Sequence, residues 1–213
     1  MAHIISIVGA SGVGKTSLVR ALASRRDFAL GLEDHAERPF QALFKQDPRH
    51  AFANQIDFLL LRAEQERTLR LDPRPALTDG GLDLDFHGFT RLFHTRGWLT
   101  DPEFDLLRRF YELVRGLGMS EESIRSTRPP FLPPPDLIVH LTASDAAIRT
   151  RLAARDRINI ASAADTSLLA SFLDEWLAQV PRDRLLRLDV TEETESYQNV
   201  LPVILSRVAE LQS

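Results

Sequence analysis

Near its N-terminus the sequence reads Gly9-Ala10-Ser11-Gly12-Val13-Gly14-Lys15-Thr16, and this stretch decides the fold. Its spacing is Gly-x-x-x-x-Gly-Lys-Thr, in which glycines let the backbone approach anionic oxygens and the first amides of a helix point at them. With Gly at about 7% of residues, a chance match in a chain of this length is roughly a one-in-a-hundred event. The stretch therefore predicts a phosphate-binding loop, a P-loop, rather than a glycine-rich turn. A dinucleotide-binding loop is disfavoured, because that fingerprint spaces its glycines as Gly-x-Gly-x-x-Gly.

The residues around the loop indicate a strand before it and a helix after it. Residues 3–8 form a β-branched run, and apolar residues from 18 to 23 recur at helical spacing. In such a loop Lys15 reaches the β- and γ-phosphates of ATP, and Thr16 binds Mg²⁺. The predicted ATP-binding residues of the loop are Gly9, Ser11, Gly12, Val13, Gly14, Lys15, Thr16 and Ser17. The chain has only two lysines among its 26 basic residues, which indicates that a lysine is specified at position 15.

Composition limits the class of protein. The 213 residues are 44% hydrophobic and 26% charged, which suits one domain over residues 1–213. No apolar run approaches the roughly 18 residues of a membrane span, and no secretory signal precedes the loop, so we expect a cytoplasmic protein without a membrane partner. The absence of cysteine excludes disulfides and thiolate metal sites. A net charge of −4 argues against a nucleic-acid polymer as partner.

Strands and helices alternate along the rest of the chain. Apolar runs predict further strands at residues 28–32, 75–78, 136–141 and 184–188, and periodic segments predict helices at about 39–45, 47–70, 86–96, 100–116, 144–154, 166–179 and 194–211. This order predicts an α/β fold, a five-stranded parallel sheet flanked by helices on both faces, as in P-loop kinases. An arginine-rich lid is expected at about residues 151–165.

The long helix at 47–70 is predicted to be amphipathic. Its buried side is expected to carry Phe52, Ile56, Leu59 and Leu60, and its solvent side Glu64, Glu66 and Arg67.

Several short motifs follow the P-loop in a characteristic order. Glu33 follows the second predicted strand, Asp47-Pro48 precedes Ala51-Phe52-Ala53-Asn54-Gln55, and Arg62 comes seven residues after that glutamine. Asp79-Gly80-Gly81 ends the third strand, Asp85 and Phe89 come next, and Pro135-Asp136-Leu137-Ile138 begins the fourth. Arg151, Arg155 and Arg157 complete the series. In order and spacing the chain resembles the deoxynucleoside kinases, especially the bacterial deoxyadenosine/deoxyguanosine kinase type, over almost its whole length.

The resemblance implies an enzyme that phosphorylates the 5′-hydroxyl of a deoxynucleoside with ATP and Mg²⁺, and the bacterial type named points to a purine deoxynucleoside. It makes Glu33 the general base, places Arg151 and Arg155 with Lys15 in catalysis, and gives Arg155 and Arg157 to ATP. The implied substrate-binding residues are Glu33, Gln55, Arg62, Asp85 and Phe89, and the implied metal-binding residues are Thr16 and Asp79. It also implies a homodimer formed through helices near 86–96 and 104–114.

Simpler interpretations stay open for these residues. Glu33 could be a loop carboxylate paired with Arg38, and Asp79 a turn residue before Gly80. Gln55 and Arg62 could be polar residues at a helix edge, since a seven-residue spacing places any two side chains on one helix face. The lid arginines could form a solvated face balanced by Asp156.

Three departures from the family pattern concern the acceptor. Gly80 and Gly81 replace an Arg and a Ser, Lys45 stands where the family has a sugar-binding Tyr, and Ile158-Asn159-Ile160 replaces acidic lid residues. Two alternatives therefore remain beside the nucleoside: a P-loop kinase for another small hydroxyl compound, and a catalytically weakened nucleotide-binding subunit that acts by association.

Overall fold

The computed structural model describes residues 2–32, 37–117, 131–153, 163–194 and 196–212. Five parallel strands form one sheet in the order β2-β3-β1-β4-β5. The strands are β1 (Ile4–Val8), β2 (Ala29–Gly31), β3 (Ala76–Asp79), β4 (Leu137–Thr142) and β5 (Leu185–Asp189). The predicted fold class is confirmed, and each strand lies within one or two residues of its predicted position.

Helices cover both faces of the sheet. They are α1 (Lys15–Ala23), α2 (Pro39–Gln46), α3 (Ala51–Arg70), α4 (Leu82–Leu84), α5 (Arg91–Thr95), α6 (Asp101–Arg115), α7 (Asp145–Ala153), α8 (Ala163–Leu177) and α9 (Leu201–Glu210). Ile5 and Ile7 of β1 pack with α1 and α9, whereas Val8 packs with Leu173 and Trp176 of α8 on the opposite face. A separate aromatic cluster joins α2, α3, α5, α6 and α8 away from the sheet. The alternation of side chains along β1 thus binds both helical layers to one central strand.

Helix α6 shows how local sequence fixes an element. Thr100 and Glu103 form a capping box with the Thr100 N–H donating to Glu103 at 2.8 Å, and Pro102 lies in the first turn. The helix ends at Gly116, which has the left-handed φ of 66° that glycine adopts without strain. Both ends agree with the prediction.

The buried side of α3 differs from the prediction. Leu60 is 45% exposed, whereas Glu66, expected in solvent, is buried. Asn54, Gln55, Arg62 and Arg70 are buried as well. Glu66 can be buried because it accepts two hydrogen bonds from Arg115, both at 2.9 Å. The helix therefore buries a polar stripe, which a count of apolar positions does not detect.

Two further helices differ from their predicted extents. The predicted helix 86–96 is divided, with a wide π-type turn, Asp85–Thr90, between α4 and α5. This turn widens where side chains of Gln55 and Thr90 both donate to the Asp85 carbonyl. The last helix begins at Leu201 rather than near 194, because Tyr197 has a φ of 48° that a right-handed helix excludes.

Only the two ends of the predicted lid, about residues 151–165, lie within the described residues. Residues 151–153 belong to α7 and residues 163–165 to α8, and the stretch between them lies outside the described residues. Among the described residues, none of the helices is long and apolar enough to cross a membrane.

Residues 131–135 carry no regular secondary structure, as the prolines predict, yet they are held firmly. Arg70 donates to the carbonyls of Pro133 and Pro134, Arg115 to that of Pro133, and Arg184 to those of Pro134 and Pro135. The segment that leads into β4 is thus fixed by guanidinium groups from three directions.

Candidate active site

The P-loop connects β1 to α1 through backbone conformations that glycine adopts readily. Gly12 and Gly14 have φ of 83° and 111°. A Cβ on Gly12 would lie 2.7 Å from Leu152 of α7, and a Cβ on Gly14 would lie 2.3 Å from the Tyr197 hydroxyl. Both positions therefore need glycine for conformation and for space. The Lys15 ammonium donates to the carbonyls of Gly9 and Ala10 at 2.9 and 3.0 Å, so it lies inside the loop.

Thr16 and Asp79 meet at the carboxyl edge of the sheet. Asp79 ends β3 and pairs in register with Ile7 of β1, so the parallel strands deliver it beside the first turn of α1. The Thr16 hydroxyl donates to the buried Asp79 carboxylate. Hydroxyl and carboxylate oxygens are the hard ligands that Mg²⁺ takes in phosphate sites, where waters and phosphates supply the remaining ligands. The pair therefore fits a Mg²⁺ ion. Among the described residues there is no cluster of three or more His, Cys, Asp or Glu side chains able to hold a metal ion.

Arg151 of α7 bridges the P-loop to the loop after β5. Its guanidinium donates to the carbonyl of Val13 at 3.1 Å and to that of Val190 at 2.6 Å, with longer bonds to Thr191 and Glu193. The P-loop, Thr16, Asp79 and Arg151 are called the phosphate side below.

Gln55, Arg62 and Asp85 come together where α3 meets the wide turn. All three are buried, and Arg62 Nε donates to Asp85 Oδ2 at 2.8 Å. Gln55 Nε2 donates to the Asp85 carbonyl at 3.2 Å. The predicted substrate residues are therefore one hydrogen-bonded group and not separate side chains at a helix edge. Phe89 lies in the same turn, half-buried against the aromatic cluster. Gln55, Arg62, Asp85 and Phe89 are called the acceptor side below.

The two sides meet at Gly80. This residue directly follows Asp79, and a Cβ built on it would lie 3.7 Å from Arg62 Nη2. Gln65, one helical turn beyond Arg62, accepts from Arg62 at 3.3 Å and donates to the Leu32 carbonyl at 3.1 Å. It thereby fixes the chain immediately before position 33. Sequence analysis missed Gln65, although its i+3 spacing from Arg62 places it on the same helix face.

A buried network of charged side chains joins α3, α4 and α6 next to the acceptor side. Arg115 donates to Asp83 Oδ2 at 2.6 Å and to both oxygens of Glu66, and the Tyr111 hydroxyl donates to Asp83 at 2.7 Å. Burial disfavours the charge of Arg115, but Asp83 and Glu66 outweigh this effect and hold its pKa above the ordinary value. Burial, with Asp83, raises the pKa of Tyr111 as well. Arg70 also pairs with Glu66, so two buried guanidinium groups hold the two buried carboxylates in place.

Two histidines are held neutral by their surroundings. Burial lowers the pKa of His87 to about 4, and the ring stacks on Trp176 with centroids 5.0 Å apart. Burial, together with Arg187, lowers the pKa of His140 to about 4. His140 lines a cleft of about 410 Å³ beside Ala10 and Val13, between the end of β4 and α8.

Some predicted site residues lie outside the described residues. These are Glu33, Arg155, Arg157, Asp156 and the departures at 158–160. Of the other departures, Lys45 pairs with Glu37 at the surface, 2.6 Å apart. Arg38, considered as a partner for Glu33, makes two hydrogen bonds to Asp57.

The sheet order, the P-loop after its central strand and the carboxylate at the end of the neighbouring strand define a P-loop kinase. The sequence profile of the family described as deoxynucleoside kinase matches residues 5–210. The chain therefore belongs to the deoxynucleoside kinase family, whose members are phosphotransferases with a hydroxyl acceptor.

Individual relatives agree with this assignment. A deoxyadenosine/deoxycytidine kinase of Bacillus subtilis (strain 168) is 26% identical over 155 residues, which cover 72% of this chain and 66% of the relative. The chain thus matches just under two thirds of that protein's length.

Solved structures of deoxyadenosine kinase from M. mycoides share the fold. The structure with dCMP and a flexible dCDP gives a TM-score of 0.76 at 18% identity, covering 97% of this chain and 99% of that chain. The dATP and dCTP complexes give 0.74 and 0.71, each at 17% identity, with 99% and 97% of this chain and 100% and 99% of the other covered.

Proposed function

We propose that the protein transfers the γ-phosphoryl group of ATP to the 5′-hydroxyl of a deoxynucleoside. The observation that carries the proposal is the meeting of the two sides at Gly80, where the phosphate-side carboxylate Asp79 is one residue from the position nearest Arg62. Phosphoryl transfer depends on holding donor and acceptor in line, and the meeting of the two sides at this edge of the sheet supports that arrangement.

Adenine and cytosine are the bases that the acceptor side suits best. Both bases present an exocyclic amino group next to a ring nitrogen that accepts hydrogen bonds. With Gln55 Nε2 donating to the Asp85 carbonyl, the Gln55 oxygen is the atom that would accept from the amino group, and the Arg62 guanidinium, fixed by Asp85, would donate to the ring nitrogen. Phe89 would pack on the plane of the base. The B. subtilis relative is a deoxyadenosine/deoxycytidine kinase, which supports this choice.

The chemistry asks little of the protein beyond position and charge. Glu33 would take the proton of the 5′-hydroxyl as its oxygen bonds to the γ-phosphorus and the bond to the bridging oxygen of ADP breaks. Gln65 supports this role because it holds the Leu32 carbonyl immediately before Glu33. Lys15, Arg151 and the lid residues Arg155 and Arg157 would neutralise the phosphate oxygens. Thr16 and Asp79 would hold Mg²⁺, which when bound neutralises charge on the β- and γ-oxygens.

The proposal includes a homodimer formed through the helical layer. Leu106 and Leu113 of α6 are 50% and 61% exposed and lie seven residues apart, on one face of the helix. An apolar face of this kind is suited to packing against its own copy. Sedimentation at micromolar concentration tests it, since Leu106→Glu with Leu113→Glu should yield monomers.

The test of function is ADP production with Mg-ATP and each nucleoside and deoxynucleoside in turn. Deoxyadenosine and deoxycytidine should give the highest rates. Lys15→Ala and Glu33→Gln should each lower kcat/KM by about 10³-fold or more, since each removes a group that acts in the transition state. Arg74→Ala, which removes an exposed cation remote from the site, is the matched control and should retain the activity. No nucleoside-dependent ADP production would overturn the proposal.

Gly80 motivates a second candidate function. It has a φ of 81° and no side chain at the position where the family pattern has a cation near the reacting hydroxyl. A kinase for another small hydroxyl compound would be stabilised in a thermal-shift screen by that compound and by none of the nucleosides.

A further inference from the structure

Two successive carbonyls of the P-loop are held from outside the loop. Arg151 donates to the Val13 carbonyl at 3.1 Å, and the Tyr197 hydroxyl donates to the Gly14 carbonyl at 3.0 Å, where the Leu18 N–H of α1 also donates at 3.0 Å. A peptide unit is planar, so its C=O and the following N–H point in opposite directions. Holding the Val13 carbonyl therefore orients the Gly14 N–H, and holding the Gly14 carbonyl orients the Lys15 N–H. These are amides that a P-loop aims at phosphates.

Tyr197 is built into this position with some strain. Its φ of 48° is in the left-handed region, where it is the one non-glycine residue with positive φ in the described part of the chain. A left-handed aromatic residue costs on the order of 1 kcal/mol and persists only where its surroundings fix it. The ring is buried in the cluster that contains Val13 and Leu18, and this packing fixes it. The hydroxyl also occupies the space that a Cβ on Gly14 would need.

We propose that Tyr197 is a positioning residue for ATP, which together with the Leu18 N–H sets the direction of the Lys15 amide through the Gly14 carbonyl. The inference rests on the proposed function only in that the P-loop binds ATP, and it adds a residue far from the loop in sequence. It also accounts for the left-handed turn at Tyr197, between β5 and α9, because this turn brings the hydroxyl to the P-loop.

The chain offers a matched pair of variants, because Tyr111 and Tyr197 are its two tyrosines and both hydroxyls are buried and hydrogen-bonded. Tyr197→Phe and Tyr111→Phe each remove one hydroxyl and keep the ring. Calorimetric titration with ADP and with Mg-ATP, without nucleoside, measures binding independently of turnover. Steady-state kinetics then give KM for ATP and for the nucleoside.

Tyr197→Phe should weaken ADP and ATP binding by about three- to tenfold and raise KM for ATP by the same factor, since one hydrogen bond that orients the amide is lost. The nucleoside KM should stay within twofold. Tyr111→Phe should lower stability in urea while leaving ADP binding unchanged. Wild-type ADP affinity in Tyr197→Phe overturns the inference, and so does an equal loss of affinity in both variants. If the wild-type protein binds ATP but phosphorylates no nucleoside, the proposed function fails while the binding comparison still decides the role of Tyr197.

Discussion

Arg151 of the phosphate side and Arg115, which lies next to the acceptor side, differ in the groups that their guanidinium charges contact. The hydrogen bonds from Arg151 to described residues all end on backbone carbonyls, whereas Arg115 is paired with two buried carboxylates. Carbonyl dipoles orient a guanidinium without cancelling its charge, but carboxylates neutralise it. Arg62, paired with Asp85, follows the second pattern. Among the described residues Arg151 thus keeps its charge for the polyphosphate of the proposed function, whereas Arg62 and Arg115 are paired with carboxylates, which suits a neutral nucleoside.

The largest expected effect is the loss of stability on removing Arg115, the buried cation next to the acceptor side. Arg115→Met should lower the free energy of unfolding by about 3–5 kcal/mol, because it leaves Asp83 buried without its cation and Glu66 with Arg70 alone. Urea denaturation measures the loss. Arg108→Met is the control on the same helix, where an exposed arginine is paired with Asp105 and Glu112, and should cost less than about 1 kcal/mol. Equal losses in the two variants would contradict the distinction between buried and exposed pairs.

The acceptor side should also be separable from the phosphate side by kinetics. Asp85→Asn removes the charge that fixes Arg62 and should raise the nucleoside KM by about 10- to 100-fold, in line with the roughly 1.5–3 kcal/mol of a charged hydrogen bond. KM for ATP should change by less than twofold. Asp105→Asn on the surface of α6 is the control. A rise in both KM values would show that the two sides are not independent.

The pH dependence of stability should reveal the neutral histidine His87, which lies in the same wide turn as Asp85 and Phe89. The pKa of His87 falls from its ordinary 6.5 in the unfolded chain to about 4 in the fold. Between these values the unfolded state binds more protons, so stability is full above pH 6.5 and falls as the pH falls towards 4. His87 should contribute a loss of about 1–2 kcal/mol between pH 7 and pH 5. His87→Phe should reduce the pH dependence by that amount in urea titrations at the two pH values, and an unchanged dependence would contradict the assignment.

The smallest effect is expected on the phosphate side. Arg151→Gln should raise KM for ATP by about three- to fivefold, less than the change at Asp85, because the glutamine amide can still donate to one of the buried carbonyls of Val13 and Val190. The nucleoside KM and the unfolding free energy should stay close to wild type. Arg149→Gln, an exposed residue of the same helix, is the matched control. A loss of several kcal/mol in stability would place Arg151 with Arg115 and remove the contrast.

The phosphate side was the part most accessible to prediction. The P-loop motif fixes residue types at fixed spacing, and the carboxyl ends of parallel strands meet at one edge, so the contact of Thr16 with Asp79 follows from the strand positions. The positions of the five strands and both ends of α6 follow from similar local signals.

The acceptor side was less accessible, because its contacts join elements distant in sequence. Glu66 looks like a solvent residue until Arg115, 49 positions later, is placed against it. The phosphate side has one contact of the same kind, because Tyr197 lies 183 positions from Gly14, and a single aromatic residue in a polar run does not predict a left-handed turn. Patterns of apolar residues find a core, but they contain no information about which buried charges will meet.

The proline segment before β4 bears on the choice of arginine over lysine at the residues that hold it. Pro133, Pro134 and Pro135 have no N–H, so they can only accept hydrogen bonds, and their neighbours must supply every donor. Arg70, Arg115 and Arg184 do so, each serving more than one acceptor with the five N–H groups of a guanidinium. In each arginine one nitrogen serves two carbonyls, and the other nitrogens of Arg70 and Arg115 remain for the carboxylates of Asp136, Asp83 and Glu66. A lysine, with a single nitrogen, cannot serve carbonyls and carboxylates on separate sides. At Arg70 and Arg115 the use of arginine is thus a matter of stoichiometry, because each must serve backbone and side-chain acceptors together.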